Sequence, residues 1–356
     1  MRYMHSFEHL PDELILQILH HVSLFDLVRV VSALNRRLRR LTYVNSLWHT
    51  VDFDRPFPFS AVEKILKTCR KPVSLDLTNC TFPSTYDESI NSSVVVDASV
   101  PSKFLEDFEA ACSSYSVAHF VSGFTNLETL IVTNNDKLHR PETGRPCIAS
   151  IVLSHAPSTL RILHMKHDLV PSTVASEVLP KLTNLESLSL VVQRSLNFSS
   201  DVDDVILALS NASNLRTLHL TTPSIPNHCG YWNACTPNLS KLVRLTDLSL
   251  SGIPIEAAKL DEWCTRLTRF RLKGWEIPPS VALSFRGCSQ LKSISIKQVN
   301  LDFLDVRHCP TLTSIVIDKR GYSPPTRIIV VSCTSLQTLA VDADPGSPVL
   351  IERTTP

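Results

Sequence analysis

Three stretches, NLESLSL (Asn184–Leu190), NLRTLHL (Asn214–Leu220) and RLTDLSL (Arg244–Leu250), are copies of one phrase, Leu-x-x-Leu-x-Leu, and their reading decides the fold. The last two leucines of each copy alternate with polar neighbours, the pattern of a short strand with one buried face. The first leucine points inward from the turn that precedes the strand. A lone strand of this kind is unstable in water, so the repetition itself carries the prediction.

Working outward, the phrase returns in nine copies, the others being NLETLIV (Asn126–Val132), TLRILHM (Thr159–Met165), RLTRFRL (Arg266–Leu272), QLKSISI (Gln290–Ile296), TLTSIVI (Thr311–Ile317) and SLQTLAV (Ser335–Val341). Their first leucines are 33, 25, 30, 30, 22, 24, 21 and 24 residues apart. Such spacing resembles the leucine-rich repeat and predicts a stack of rungs sharing one parallel sheet and one continuous core. CRKPVSLDLTNC, around Leu75 and Leu77, reads as a degenerate first rung.

The return segments differ along the chain. STVASEVLPKL from Ser172, DVDDVILALSNA from Asp201 and IEAAKLDEWC from Ile255 read as helices. VALSFRGC, LDFLDVRHC and TRIIVVSC alternate instead, and spacings of 21 to 24 residues leave no room for a long helix. The outer face is therefore expected to change from helix to extended chain after about residue 275. Cys264, Cys288, Cys309 and Cys333 each stand three residues before a first leucine, and packing in stacked turns explains them better than a metal or redox ladder.

Composition narrows the function. Hydrophobic residues make up 43% and charged residues 19% of 356, and 35 Lys plus Arg nearly cancel 34 Asp plus Glu, so no global field recruits nucleic acid or an anionic membrane. Neither an apolar leader nor an 18-residue apolar run is evident, and the ten cysteines contain no CxxC pair, which together suggest a soluble chain of the cytoplasm or nucleus with reduced thiols. No phosphate loop, nucleophile elbow or H-E-x-x-H occurs, so neither catalytic residues nor a cofactor are expected. His164, His167, His228, Cys229 and Cys235 lack the spacing of a zinc module, so no metal site is assigned.

The N-terminal stretch FEHLPDELILQILHHVSLFDLVRVVSALNRRLRRLTYVNSLW, Phe7–Trp48, has a different logic. Pro11, Asp12 and Glu13 open a helix on which Leu14, Ile15, Ile18, Leu19 and Val22 form one stripe. Ser23 and Asp26 form a capping-box variant for a second helix bearing Leu27, Val30, Val31 and Leu34, and a third follows from Arg36. The cluster Arg36, Arg37, Arg39 and Arg40 reads as a solvated helix face rather than a nucleic-acid patch. About fifty residues cannot bury this much apolar surface, so part of it is expected to belong to another molecule.

The phrases LPDELILQIL, FDLVRV, ALNRRLRRL and LW, in this order and spacing, resemble the F-box. The resemblance implies an α/β chain in which a three-helix F-box precedes a curved leucine-rich-repeat solenoid with a parallel concave sheet. The implied organisation is residues 1–50 as F-box, 51–120 as linker, degenerate first repeat and surface loop, 121–342 as solenoid and 343–356 as tail. It implies binding of a Skp1-like adaptor, and through it a cullin-RING ubiquitin ligase, with Leu10, Pro11, Leu14, Ile18, Leu27, Val31 and Trp48 at or under the adaptor surface, while the repeats select a protein substrate. A non-catalytic interaction scaffold without ubiquitin transfer is the alternative.

Two places are expected to contact the substrate. Strand alternation points Arg269, Arg271 and Lys273 to the concave face, with Lys297 on the next rung. Tyr231 and Trp232 stand in an irregular loop, TTPSIPNHCGYWNACTPN, where they read equally well as a partner anchor or as a satellite core.

Overall fold

The computed structural model of the chain describes residues 10–52, 57–58, 72–78, 80–81, 124–133, 153–193, 201–222, 239, 241–253, 257–259, 265–274, 281–299, 301–319, 326–343 and 349–354. Two compact units divide it, residues 1–160 and 161–356.

The first unit opens with the helix Asp12–Leu19, one residue later than Pro11, which is its N-cap. Helical turns over Leu24–Asp26, a π-helical stretch Leu27–Val31 and a further turn Ser32–Leu34 follow, then the helix Arg36–Thr42 and a 3-10 turn Asn45–Trp48. Ser23 caps the second segment as the sequence predicts, its Oγ accepting from the Asp26 amide at 3.1 Å and donating to Asp26 Oδ2 at 2.9 Å. Asn35 Oδ1 likewise accepts the Leu38 amide at 2.8 Å, which starts the last helix. Strands β1 (Thr50–Val51), β3 (Ser74–Asp76) and β5 (Thr129–Thr133) then pair in parallel, and β2 (Phe57–Pro58) pairs with β4 (Cys80–Thr81). Leu75 and Leu77 are fully buried, and β3 pairs with β1 on one side and β5 on the other; β1 is too short for a sequence pattern to reveal.

In the second unit, strands β6 (Ile162–Pro171), β7 (Ser187–Gln193), β8 (Thr217–Thr221), β9 (Asp247–Ser251), β11 (Arg269–Lys273), β13 (Ser293–Lys297), β15 (Ser314–Lys319) and β17 (Thr338–Ala343) form one parallel sheet in chain order. Register places repeat position on repeat position: Leu188, Leu218, Leu248, Phe270, Ile294 and Ile315 lie on one row. All six are at most 1% exposed, which is the continuous core that these eight short strands could reach only by stacking.

Helices Ser172–Val178 and Asp201–Ala208 return the early rungs, as predicted. Strands β10 (Ala257–Lys259), β12 (Val281–Arg286), β14 (Leu301–Arg307), β16 (Thr326–Val331) and β18 (Val349–Thr354) return the later ones and form a second parallel sheet. The helix expected from Ile255 is thus corrected, because Ala257–Lys259 pairs with β12 and the switch to extended chain comes a rung earlier. A rung of 22 residues has no length for a helix, and the strand ladder satisfies its backbone instead. Residues 349–354, within the stretch read as a tail, pair with β16.

Cys288, Cys309 and Cys333 are buried free thiols, and Cys309 Sγ lies 3.3 Å from the Phe285 carbonyl oxygen. The Cys288 thiol beside it and burial push Cys309 up to about 11, and the Cys309 thiol and burial push Cys333 higher still. Buried in stacked turns, the three are packing groups, as the repeat reading has it. Cys264 lies outside the described residues.

Candidate functional site

The helical part of the first unit divides its apolar stripe in two. Ile15 and Leu19 are 1% and 2% exposed, whereas Leu14 and Ile18, one position to the side, are 45% and 43% exposed. Val30 and Leu34 are also exposed. Of the predicted adaptor residues, Leu14, Ile18 and Pro11 are therefore exposed, Leu10 and Val31 half-buried, and Leu27 and Trp48 are core supports beneath. Trp48 Nε1 donates to the Thr42 carbonyl at 2.6 Å, so the indole closes the helical group without an orphaned donor.

The arginines do more than face solvent. Arg37 donates to Asp12 Oδ1 at 2.6 and 2.8 Å and to the Leu10 carbonyl at 2.6 Å, while Arg40 reaches Asp12 Oδ2 at 3.1 Å. Asp12, expected only to complement a helix dipole, thus ties the first helix to the last, and the Arg37 hydrogen bond holds its carboxyl below the ordinary carboxylate value.

In the second unit, register brings the predicted cations together. Arg269 faces Ser293, Arg271 faces Ser295 and Lys273 faces Lys297 on adjacent strands, so Lys297 completes the group of four. All four are exposed. On the other flank Arg269 faces Asp247 and donates to its Oδ2 at 2.7 Å. Asp247 is 3% exposed, with His219 Nε2 3.7 Å from its Oδ1. Burial pushes its carboxyl up, but His219, Arg269 and Arg271 together hold it below the ordinary value. One of the four charges is therefore matched, and Lys297 stands in register with Asp318 on β15.

Sequence reasoning missed a neighbouring feature. At the N-terminal edge of the long sheet, Arg216, Arg244, Thr246, Arg266 and Gln290 line a cavity of about 450 Å³. The signal was present, since Arg244, Arg266 and Gln290 each immediately precede a first leucine, but the alternation used to find concave residues begins two positions later. Tyr231 and Trp232 lie outside the described residues, as do His228, Cys229 and Cys235. Among the described residues no cluster of His, Cys, Asp or Glu has metal-binding geometry, and His164 Nε2 lies 2.8 Å from Ser187 Oγ.

With this geometry in view, residues 7–54 match the F-box-like family model. The opening segment is F-box-like. Its helices carry the exposed Leu14 and Ile18, and the parallel-sheet solenoid that follows in the sequence has leucine-rich-repeat architecture. Among solved structures, the internalin InlF from Listeria monocytogenes str. 4b F2365 is similar at 16% identity and TM-score 0.34, over 63% of this chain and 69% of that one. The functional domain of InlJ from Listeria monocytogenes, described as including a cysteine ladder, is similar at 14% identity and TM-score 0.31, over 80% of this chain and 60% of that one. Comparison with curated proteins returned no match. An F-box-like segment joined to a repeat solenoid is a protein-interaction architecture, typically non-catalytic, and F-box domains in general bind Skp1-type adaptors. No helix among the described residues is long and apolar enough to cross a membrane.

Proposed function

We propose that this chain is the substrate-recognition subunit of an SCF-type ubiquitin ligase: the F-box-like helices engage a Skp1-type adaptor, and the repeats hold a protein substrate for catalysis by the partners. The observation that carries this reading is the exposure of Leu14 and Ile18 on a helix that buries Ile15 and Leu19, within a segment matching the F-box-like family. Large apolar side chains left half-exposed beside a completed core mark a partner surface. Chemistry supplied by partners also accounts for the lack of catalytic and cofactor motifs in the sequence.

The basic row Arg269, Arg271, Lys273 and Lys297 is the substrate-facing surface in this reading, suited to an acidic or phosphorylated segment, because guanidinium groups take carboxylate or phosphate with two parallel hydrogen bonds. Asp247 tempers it by holding Arg269.

Capture of the adaptor from purified components tests the proposal. Replacing Leu14 and Ile18 together by Glu is expected to abolish co-purification of Skp1 and cullin while the circular dichroism of the chain stays unchanged. Undiminished capture would sink it. The scaffold alternative predicts no adaptor capture by the unmodified chain at all.

A further inference from the structure

We infer that Arg216, Arg244 and Arg266 form a phosphate-binding pocket at the N-terminal edge of the long sheet, separate from the basic row on the sheet's face. Three successive rungs each contribute one arginine to the lining of a single cavity of about 450 Å³, within the range of small-ligand sites. Among the described residues its remaining lining, Thr246 and Gln290, is polar and uncharged and supplies no carboxylate to the three arginines.

Two described carboxylates on the rungs nearby are already held by other arginines. Glu186 accepts from Arg161 at 2.6 and 2.9 Å, and Asp247 accepts from Arg269 at 2.7 Å. Three like charges converging on one concavity repel one another, and a bound anion removes that cost.

The backbone beneath the pocket is firmly set. The Arg216 carbonyl accepts the amides of Thr246 and Asp247 at 2.8 and 3.0 Å and the Thr246 hydroxyl at 3.0 Å. Arg244 Nη1 donates to Asn214 Oδ1 at 2.8 Å, which orients the guanidinium and leaves its other donors for a ligand. A planar fork anchored on a hydrogen-bonded strand edge suits the tetrahedral oxygens of phosphate better than a single carboxylate, because three forks can each take a different oxygen pair. The ligand chemistry is a phosphate group, carried either on a serine or threonine side chain or in a small free polyphosphate.

The full-length chain, titrated in 0.15 M salt without adaptor, provides the test. The probes are a fluorescent phosphoserine peptide, its unphosphorylated counterpart and inorganic tripolyphosphate. At least one phosphate probe is expected to saturate at one site, to weaken by about tenfold or more in the Arg216→Ala, Arg266→Ala variant, and to change less than about threefold in Lys181→Ala, Arg327→Ala, two exposed cations that belong to neither basic surface. A charge-preserving variant, Arg216→Lys with Arg266→Lys, keeps the electrostatics but loses the forks, and several-fold weakening is expected there too. Preference for the phosphopeptide identifies a phosphorylated segment as the source, and displacement of that peptide by tripolyphosphate alone at lower concentration identifies a free polyanion. Failure of both phosphate probes to bind, equal binding of the unphosphorylated peptide, or equal weakening by both alanine pairs would overturn the inference. Adaptor capture is read separately, so either result stands without the other.

Discussion

Single residues decide how the helical group holds together. Asp12 joins its first and last helices, and its folded-state carboxyl lies below the ordinary value of 3.8 because Arg37 hydrogen-bonds it. A depressed carboxylate contributes stability that is present above the unfolded value and lost as pH falls through the folded one. Asp12→Asn is therefore expected to be less stable than the unmodified chain near neutral pH, with the difference closing as the pH falls below about 4. Denaturant midpoints of both chains across pH measure this, and a difference independent of pH would refute it. Trp48 acts through volume as well as its one hydrogen bond: it is 1% exposed, and Trp48→Ala should cost about 3–5 kcal/mol in the cooperative unit that contains it.

At the scale of elements, the strand ends are as informative as the strands. Gly252, Gly287, Gln298, His308 and Ser332 each directly follow a strand and have φ between 54° and 71°, in the left-handed region. Each donates its amide to a carbonyl at the end of the following rung's strand, the last residue in four cases, as for His308 and Val331 at 2.9 Å, and the last but one, Asp318, for Gln298. The left-handed residue turns the chain while keeping the ladder bonded for one more position, and only Gly adopts it without steric cost. His308→Gly, at an exposed site, should thus raise stability by roughly 0.5–1 kcal/mol, visible as a higher urea midpoint with an unchanged slope. Between elements, Phe270 of the long sheet meets Phe285 of the second sheet edge-on at 5.0 Å. Both are fully buried, so Phe270→Ala opens a cavity between the sheets and should cost about 3–5 kcal/mol by the same measurement.

Across the second unit as a whole, stability is expected to be graded along the stack. First leucines from Leu160 to Leu312 are at most 1% exposed, but on the β17 and β18 rung Leu336, Leu339 and Val341 are half-buried and Leu350 and Ile351 are 57% and 43% exposed. In a repeat array each rung is stabilised by its neighbours, so this rung, covered on one side among the described residues, should open first. Native-state amide exchange is expected to be slowest on β8 through β15 and markedly faster on β17 and β18. Uniform protection along the stack would contradict that picture.

The recurrence of Leu-x-x-Leu-x-Leu settled the repeat architecture before any coordinate, because a period-2 pattern repeated at 21 to 33 residues has one economical solution, a stacked parallel sheet. The helical stretch Phe7–Trp48, its Ser23 cap and the grouping of Arg269, Arg271, Lys273 and Lys297 were legible for the same reason, since they depend on local periodicity and rung-to-rung register. Residues brought together across rungs and helices were not. Which of Leu14, Ile15, Ile18 and Leu19 face outward depends on what packs beside the helix, and one stripe in the sequence became a buried pair and an exposed pair. The Asp12–Arg37 tie spans 25 residues, and Arg216, Arg244 and Arg266 converge over rungs 30 and 22 residues apart. Side-chain charge meets at such separations only once the backbone ladder has fixed the distance between rungs, and that is a property of the folded stack.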